Sequence, residues 1–264
     1  MNLIDGKKLS QIKSEELNLK LYSLPRKLGL AILAVGKDDA SLTYINQKIK
    51  KADSLGINTY IYQYDNIIEE ELINKIEELN NNDEIDGIIV QLPLPSYLDK
   101  DKILNSIDIK KDIDGLNINS NFIPCTPKGI LDLIDYYDID LTNKNILIIG
   151  RSNLVGMPLY KIFKGKNLNV TMAHSRTENI KDLTLKADII IIAIGKERYL
   201  KDDMIKDGAI VFDVGINYVD GILCGDADFE NIKNKVSMIT PVPGGIGPMT
   251  VYEIFDNLLT AYKN

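Results

Sequence analysis

The chain has 264 residues, of which 45% are hydrophobic and 26% charged, with a net charge of −7 at pH 7 and a pI near 4.9. This is an ordinary globular composition, long enough for two domains, and its acidic balance leaves no basic surplus to replace counterions on a nucleic acid. The N-terminal MNLIDGKKLSQIKSEELNLK is too charged for a signal peptide, and no apolar run reaches membrane-spanning length. The expectation is a cytoplasmic protein without nucleic-acid or membrane partners.

Lys8 to Tyr22 reads as an amphipathic helix, with Leu9, Ile12, Leu17 and Leu19 among charges. Leu28 to Val35 is a short continuous apolar run, as expected of a strand covered on both faces. Ser41 is placed to cap the next helix, in which Leu42, Ile45, Ile49 and Ala52 recur at helical spacing until Gly56. Ile57 to Tyr64 reads as a strand, Glu69 to Leu79 as a helix and Gly87 to Leu92 as a third strand, a β-α-β-α-β order that predicts a parallel sheet. Pro93 to Pro127 is proline-rich and aperiodic apart from a short helix near Lys100 to Ser106, and reads as loop and linker. A helix from Lys128 to Tyr137 leads into a second series of strands: the apolar run ending at Ile149, then Asn169 to Ala173, Ala187 to Ala193 and Ala209 to Val214. That lobe is expected to be doubly wound. Pro248, read as the first residue of the last helix, precedes Val251, Ile254, Phe255, Leu258 and Leu259 on one face.

The second series is organised around Asn145 to Pro158, NILIIGRSNLVGMP. A buried strand ending on Gly150 and reopening as a helix after Gly156 offers free backbone N–H groups at a helix N-terminus, where phosphate binds. The spacing departs from G-x-G-x-x-G, so the context of strand before and helix after carries the reading. An NAD site places an acidic side chain about 20 residues past the first glycine. Here that place reads His174-Ser175-Arg176-Thr177, with no carboxylate before Glu178, while Arg151, Ser152, Ser175 and Arg176 offer donors suited to a 2′-phosphate. NADP is therefore the expected cofactor. His174 itself reads as a packed residue at a strand end. A single histidine and two widely separated cysteines, Cys125 and Cys224, imply neither a metal site nor a disulfide framework.

In the first series, Tyr44 and Lys48 lie four residues apart, on one face of their helix and beside its apolar stripe. Partial burial and the neighbouring Lys51 would lower the Lys48 pKa and supply a neutral amine able to act as a base. Gln91 is a polar residue at the carboxyl end of an apolar strand, where α/β sheets bind ligands. Asp112 and Asp114 share the turn KDIDGLN, and PVPGGIGPMT forms a stiff, side-chain-poor segment suited to a flat ligand.

SLTYINQK, DGIIVQLPLP, KDIDGLN, PCTPKGI, GRSNLVGMPL, HSRT, DVGIN, GDADF and TPVPGGIGPMT occur in the order found in the bifunctional methylenetetrahydrofolate dehydrogenase/cyclohydrolase family, which the chain resembles over essentially its whole length. The resemblance implies two α/β lobes flanking a cleft, the second a Rossmann-type NADP-binding domain, and a homodimer. It assigns residues 1–118 with a returning C-terminal helix 247–264 to a folate-binding catalytic domain, and 119–246 to the NADP-binding domain. It implies hydride transfer from 5,10-methylenetetrahydrofolate to NADP, then hydrolysis of the methenyl product to 10-formyltetrahydrofolate. Lys48 would be the catalytic base, Gln91 would tune and orient it, Tyr44 would stack on the folate, and Asp114 would bond the pterin. Gly244 and Gly245 would line the cleft, while Gly150, Arg151, Ser152, Ser175 and Ile216 would hold the cofactor. The chain departs from the family at Asp39, Asn117 and Ala173, where proline, histidine and cysteine are common, and in a shortened connection from Asn117 to Pro124. Two other readings stay open: a shikimate-type NADP dehydrogenase, which would leave PVPGGIGPMT and DGIIVQLPLP without a role, and a catalytically silent folate or nucleotide binder.

Overall fold

The structure is a computed structural model that describes residues 2–36 and 39–264, with the backbone alone for residues 39–41. The chain divides into two compact units, one formed by Lys13–Cys125 with Val251–Asn264 and the other by Met1–Ile12 with Thr126–Thr250. In chain order, strand β1 (Asn2–Leu3) and helix α1 (Gly6–Tyr22) are followed by β2 (Gly29–Val35), α2 (Asp39–Ser54), β3 (Asn58–Tyr64), α3 (Glu69–Asn80), β4 (Gly87–Val90) and α4 (Lys100–Asn105). Strands β2, β3 and β4 form a parallel sheet in the order β3-β2-β4. All seven residues of the central strand β2 are buried, which is why its sequence is a continuous apolar run without alternation. Ala31, Leu33 and Val35 share a core with Ile88 and Val90 of β4 and with Leu72, Ile76 and Leu79, the inward stripe of α3.

Two local boundaries differ from expectation. Helix α2 begins at Asp39, so Ser41 lies within the helix and is not its cap. Strand β4 ends at Val90, two residues before Leu92, although the Gln91 N–H still donates to the Leu33 carbonyl at 2.8 Å. Gln91 is thereby held at the strand's carboxyl end while its side chain is free of the pleat.

The second run of elements comprises α5 (Cys125–Tyr136), β5 (Ile146–Ile149), α6 (Gly156–Gly165), β6 (Val170–Ala173), α7 (Ile180–Lys186), β7 (Ile189–Ile192), β8 (Ile210–Asp213), the hairpin β9 (Asn217–Val219) and β10 (Ile222–Cys224), α8 (Phe229–Ile232), β11 (Met238–Ile239) and α9 (Ile246–Lys263). Six strands form one parallel sheet in the order β1-β11-β8-β7-β5-β6. From β5 the chain steps outward to β6 and then returns to the other side of β5 as β7, so the strand order reverses between β5 and β7. Ligands of open α/β sheets bind outside the carboxyl ends of the strands at such a reversal.

The division into units differs from the expected boundaries, 1–118 with 247–264 and 119–246. Residues 1–12 belong with the six-stranded sheet because β1 pairs with β11, the Asn2 N–H donating to the Ser237 carbonyl at 3.1 Å and the Ile4 N–H to the Ile239 carbonyl at 2.9 Å. A two-residue edge strand carries no periodicity by which a sequence could show this. Helix α5 starts three residues before Lys128. Helix α9 starts at Ile246, so Pro248 lies inside its first turn, where a missing N–H costs no helical bond. From Val251 on, α9 belongs with the three-stranded unit, where Asn257 Nδ2 donates to the Ile113 carbonyl at 2.8 Å.

Candidate active site and dinucleotide site

Helix α2 presents Ile45 and Ala52 to the core, and Lys48, three residues after Ile45, is carried inward with them. Only 8% of Lys48 is exposed, and its Nζ donates to Gln91 Oε1 at 3.0 Å. Burial lowers the Lys48 pKa from its ordinary value because the charged form loses water, while Asp114 and then Cys125 push it upward. The sequence points to the like charge of Lys51 as a contributor. Of the two expected causes, burial is the leading one at Lys48, while Lys51 is not among the causes and is itself lowered by partial burial. Gln91 is fixed at its other end, where Nε2 donates to the Leu92 carbonyl at 2.6 Å, so Oε1 is the atom left to face the amine. Tyr44, one turn before Lys48 on α2, is half-buried.

The turn after α4 separates two aspartates that look equivalent in sequence. Asp112 is fully buried and accepts from the backbone N–H of Asn117 at 2.9 Å and of Leu116 at 3.2 Å; desolvation raises its pKa to about 6. It braces the loop. Asp114 is half-buried and is the carboxylate whose charge acts on Lys48. Asn117, one of the departures from the family pattern, donates through Nδ2 to the Ile107 carbonyl at 2.9 Å and accepts from the Asn119 N–H, which closes the shortened connection. Cys125 is buried, with Sγ 3.3 Å from the Ile113 carbonyl.

In the other unit, Gly150 ends β5 with φ +123°, and a Cβ there would run into the Ala193 carbonyl. Glycine alone lets the chain turn so close to β7, the approach that a dinucleotide cradle requires. Arg151 and Ser152 follow, exposed, and Ser152 Oγ accepts from the Val155 N–H at 3.2 Å just before α6. At the end of β6, His174 serves the local backbone. Its Nδ1 accepts from the Arg176 N–H at 3.1 Å, and its own N–H donates to Thr177 Oγ1 at 2.9 Å. That tight turn leaves Ser175 and Arg176 exposed at the strand end. Ile216, 45% exposed, follows β8. Gly245 donates to the Pro241 carbonyl at 2.8 Å and Gly244 accepts from the Lys7 N–H at 2.9 Å, so PVPGG is a loop closed on itself and anchored to the start of α1. These residues fit a dinucleotide with a 2′-phosphate: a glycine cradle, a helix N-terminus, and arginine and serine donors where an NAD site would carry an acid.

Two buried aspartates escaped the sequence reading. Asp213 and Asp226 lie in DVGIN and GDADF, quoted above without a role, and between them they accept seven hydrogen bonds. The available signal was an aspartate closing an apolar strand and another beside glycine. Among the described residues, no group of three or more His, Cys, Asp or Glu side chains could hold a metal ion, and no helix is long and apolar enough to cross a membrane.

Comparison with known proteins agrees with this layout. The family profile "Tetrahydrofolate dehydrogenase/cyclohydrolase, catalytic domain" matches residues 4–114, and its "NAD(P)-binding domain" counterpart matches residues 124–264. The bifunctional protein FolD of Campylobacter hominis is 47% identical, covering 100% of this chain and 98% of its own. The crystal structure of bifunctional FolD from Campylobacter jejuni superposes with a TM-score of 0.96 at 42% identity, covering 100% of this chain and 99% of that one. FolD of Trypanosoma brucei, solved with NADP cofactor and inhibitor, gives a TM-score of 0.93 at 30% identity over 99% and 97% of the two chains. With a buried lysine and glutamine pair in one unit, a glycine cradle in the other and matches spanning both, the chain belongs to the tetrahydrofolate dehydrogenase/cyclohydrolase family.

Proposed function

We propose that this protein oxidises 5,10-methylenetetrahydrofolate with NADP and hydrolyses the resulting methenyl compound to 10-formyltetrahydrofolate. The observation that carries the reading is the Lys48 amine: buried, lowered in pKa, and bonded to Gln91. Bound NADP supplies the hydride acceptor. The oxidation leaves a cation on the folate, and a neutral amine beside it avoids the repulsion that an ammonium would impose.

In the second step, water adds to the methenyl carbon and Lys48 Nζ takes its proton as the C–O bond forms. The proton held on Nζ passes to the ring nitrogen as that nitrogen's bond to the carbon breaks, and the hydroxyl proton leaves to solvent as its oxygen becomes the carbonyl, so the formyl group stays on the other nitrogen and one proton is released overall. Gln91 holds Nζ in place through Oε1, Asp114 bonds the pterin, and Tyr44 stacks on the ring. Gly244 and Gly245 line the substrate site. Gly150, Arg151, Ser152, Ser175, Arg176 and Ile216 hold NADP, with the arginines and serines toward the 2′-phosphate.

Mixing the protein with methylenetetrahydrofolate and NADP should raise the absorbance of both NADPH and methenyltetrahydrofolate, the latter then decaying; no growth in either would leave only a binder. The same reading makes the protein a cytoplasmic homodimer. Support for self-association comes from β3, a seven-residue edge strand carrying Tyr60, Ile61, Tyr62 and Tyr64, whose sheet partner among the described residues is β2. Sedimentation at micromolar concentration tests it, with a monomer overturning the assignment.

A further inference from the structure

Residues 194–196 follow β7, and residues 214–217 follow β8. Both stretches lie at carboxyl ends of parallel strands on the far side of the strand-order reversal from β6. Gly195, Lys196 and Ile216 are exposed, so these loops are open to a ligand, while Ile194 packs against the core and Gly215 is buried. Their exposed amides are held by a buried carboxylate. Asp226, 0% exposed, accepts through Oδ2 from the N–H groups of Ile194 at 2.7 Å and Gly195 at 3.1 Å. Through Oδ1 it accepts from the Lys196 N–H at 2.8 Å and from Asn217 Nδ2 at 2.9 Å. One side chain therefore ties three successive amides of the first loop to the second loop.

Asp226 is itself held by a second carboxylate. Asp213 Oδ1 accepts from the Asp226 N–H at 2.9 Å and the Gly215 N–H at 3.0 Å, and Oδ2 accepts from the Ala227 N–H at 2.9 Å. The interlock is tight: a Cβ on Gly215 would strike the Asp226 carboxylate, and one on Gly225 would strike that of Asp213. Each aspartate thus braces the loop that carries the other's glycine. Such a brace exceeds the needs of a sheet already complete in its strand pairing, and it acts on the loops that border the site.

We infer that Asp226, seated by Asp213, is a positioning residue for the nicotinamide half of NADP, acting through the amides of 194–196 and through Asn217. A dinucleotide lies across the order reversal with one nucleotide on each side. The Ser175–Arg176 turn after β6 marks the 2′-phosphate, hence the adenosine side, so the β7 and β8 loops receive the other half. The inference rests on that placement of NADP. A loop fixed in advance by a buried acceptor loses no freedom when the ligand arrives, which favours both affinity and hydride-transfer geometry.

Asp226→Asn is the sharp test because it keeps shape and volume. Whichever oxygen becomes NH₂, two of the four donors then face a donor, so two bonds are lost and replaced by repulsion. The cyclohydrolase reaction on added methenyltetrahydrofolate needs no NADP and serves as an internal control in the same sample. The expected result is a rise in the NADP KM of at least tenfold, a lower dehydrogenase kcat, and cyclohydrolase kcat/KM within twofold of the parent. An unchanged NADP KM, or equal loss of both activities in a folded protein, overturns the inference.

Asn217→Ala removes one bond at a half-buried position and keeps the question decidable if Asp226→Asn does not fold. It should raise the NADP KM about threefold with cyclohydrolase unchanged, and no change overturns the inference. Arg151→Ala separates this inference from the placement beneath it. If it weakens NADP while Asp226→Asn and Asn217→Ala do not, only the present inference fails; if all three leave NADP unaffected, the placement of the cofactor fails with it.

Discussion

Replacing Gln91 by glutamate asks directly whether Lys48 works as a free amine. Glutamate is isosteric with glutamine, and the atom facing Lys48 Nζ at 3.0 Å is already an oxygen, so the substitution adds charge without adding bulk. Its other oxygen would meet the Leu92 carbonyl that Gln91 Nε2 now bonds, which leaves the amine as the carboxylate's best partner. Two opposite unit charges about 4 Å apart attract by about 4 kcal/mol at an effective dielectric constant of about 20. At about 1.4 kcal/mol per pKa unit, that raises the lysine by about three units. That attraction opposes burial, which lowers the Lys48 pKa in the parent.

A base that is almost wholly protonated is lost to catalysis in proportion to its missing free-amine fraction. Cyclohydrolase kcat at pH 7 should fall by roughly two to three orders of magnitude in Gln91→Glu and recover about tenfold per pH unit above that. The assay is the decay of methenyltetrahydrofolate absorbance across a pH series, corrected for the uncatalysed rate, with the NADP dissociation constant as a control that should not move. Gln91→Met, which removes the bond without adding charge, should lose activity without the steep alkaline recovery. Parent-like kcat and a parent-like pH profile in Gln91→Glu would refute the role of an unprotonated Lys48.

Further outcomes follow from the same geometry. Lys48→Met should abolish cyclohydrolase turnover, leave NADP binding intact and stabilise the fold at pH 7 by about 0.5–2 kcal/mol, since it removes a buried amine. The folded pKa of Lys48 lies below the unfolded one, so between the two values the unfolded chain binds more protons and parent stability rises with pH. The gap between Lys48→Met and parent should therefore shrink on approaching pH 10.5, which calorimetry at pH 7 and pH 10 can read; a gap that widens contradicts the burial argument. Arg151→Ala and Arg176→Ala should each weaken NADP about tenfold, the loss of a charge-assisted bond, and NAD by less than about twofold. Equal losses in the two dissociation constants would remove the 2′-phosphate assignment. For Asp112, whose pKa is raised from 3.8 to about 6, the folded state takes up the proton first as pH falls, so the cost of burying its charge is present above pH 6 and fades toward pH 4. Relative to Asp112→Asn, the parent should gain about 2.4 kcal/mol between pH 7 and pH 4 in urea unfolding, and parallel pH dependences would show that the carboxylate is not penalised.

The elements that could be read from the chain are those whose periodicity is local. Ile146 to Ile149 and Gly29 to Val35 announce buried parallel strands by unbroken apolar runs, and Leu72, Ile76 and Leu79 announce a helix by spacing alone. Strands β1 and β11 have two residues each and exist because they pair with each other and with β8, so nothing within either segment distinguishes it from a loop. The hairpin of β9 and β10 turns at Asp220-Gly221, in the stretch between DVGIN and GDADF for which the sequence reading gives no element, and its strands are only three residues long.

Within the site the limit is different, because neighbouring residues of one type play different roles. Lys48 and Lys51 lie on one helix and both lose pKa to burial, yet only Lys48 has the Gln91 oxygen opposite it, supplied by a strand end 43 residues away. Asp112 and Asp114 share one turn, and burial sends the first to brace the loop while the second reaches the lysine's field. Asp213 and Asp226 carry no role in the sequence, and one appears only where the 194–196 amides converge on Asp226. In each case the residue type states what chemistry is available, and the distant segment packed against it decides which copy performs it. A chain position acquires its role through partners that no spacing rule contains, so a test that alters a partner, Gln91 or Asn217, and leaves the acting residue in place complements one that changes the acting residue itself.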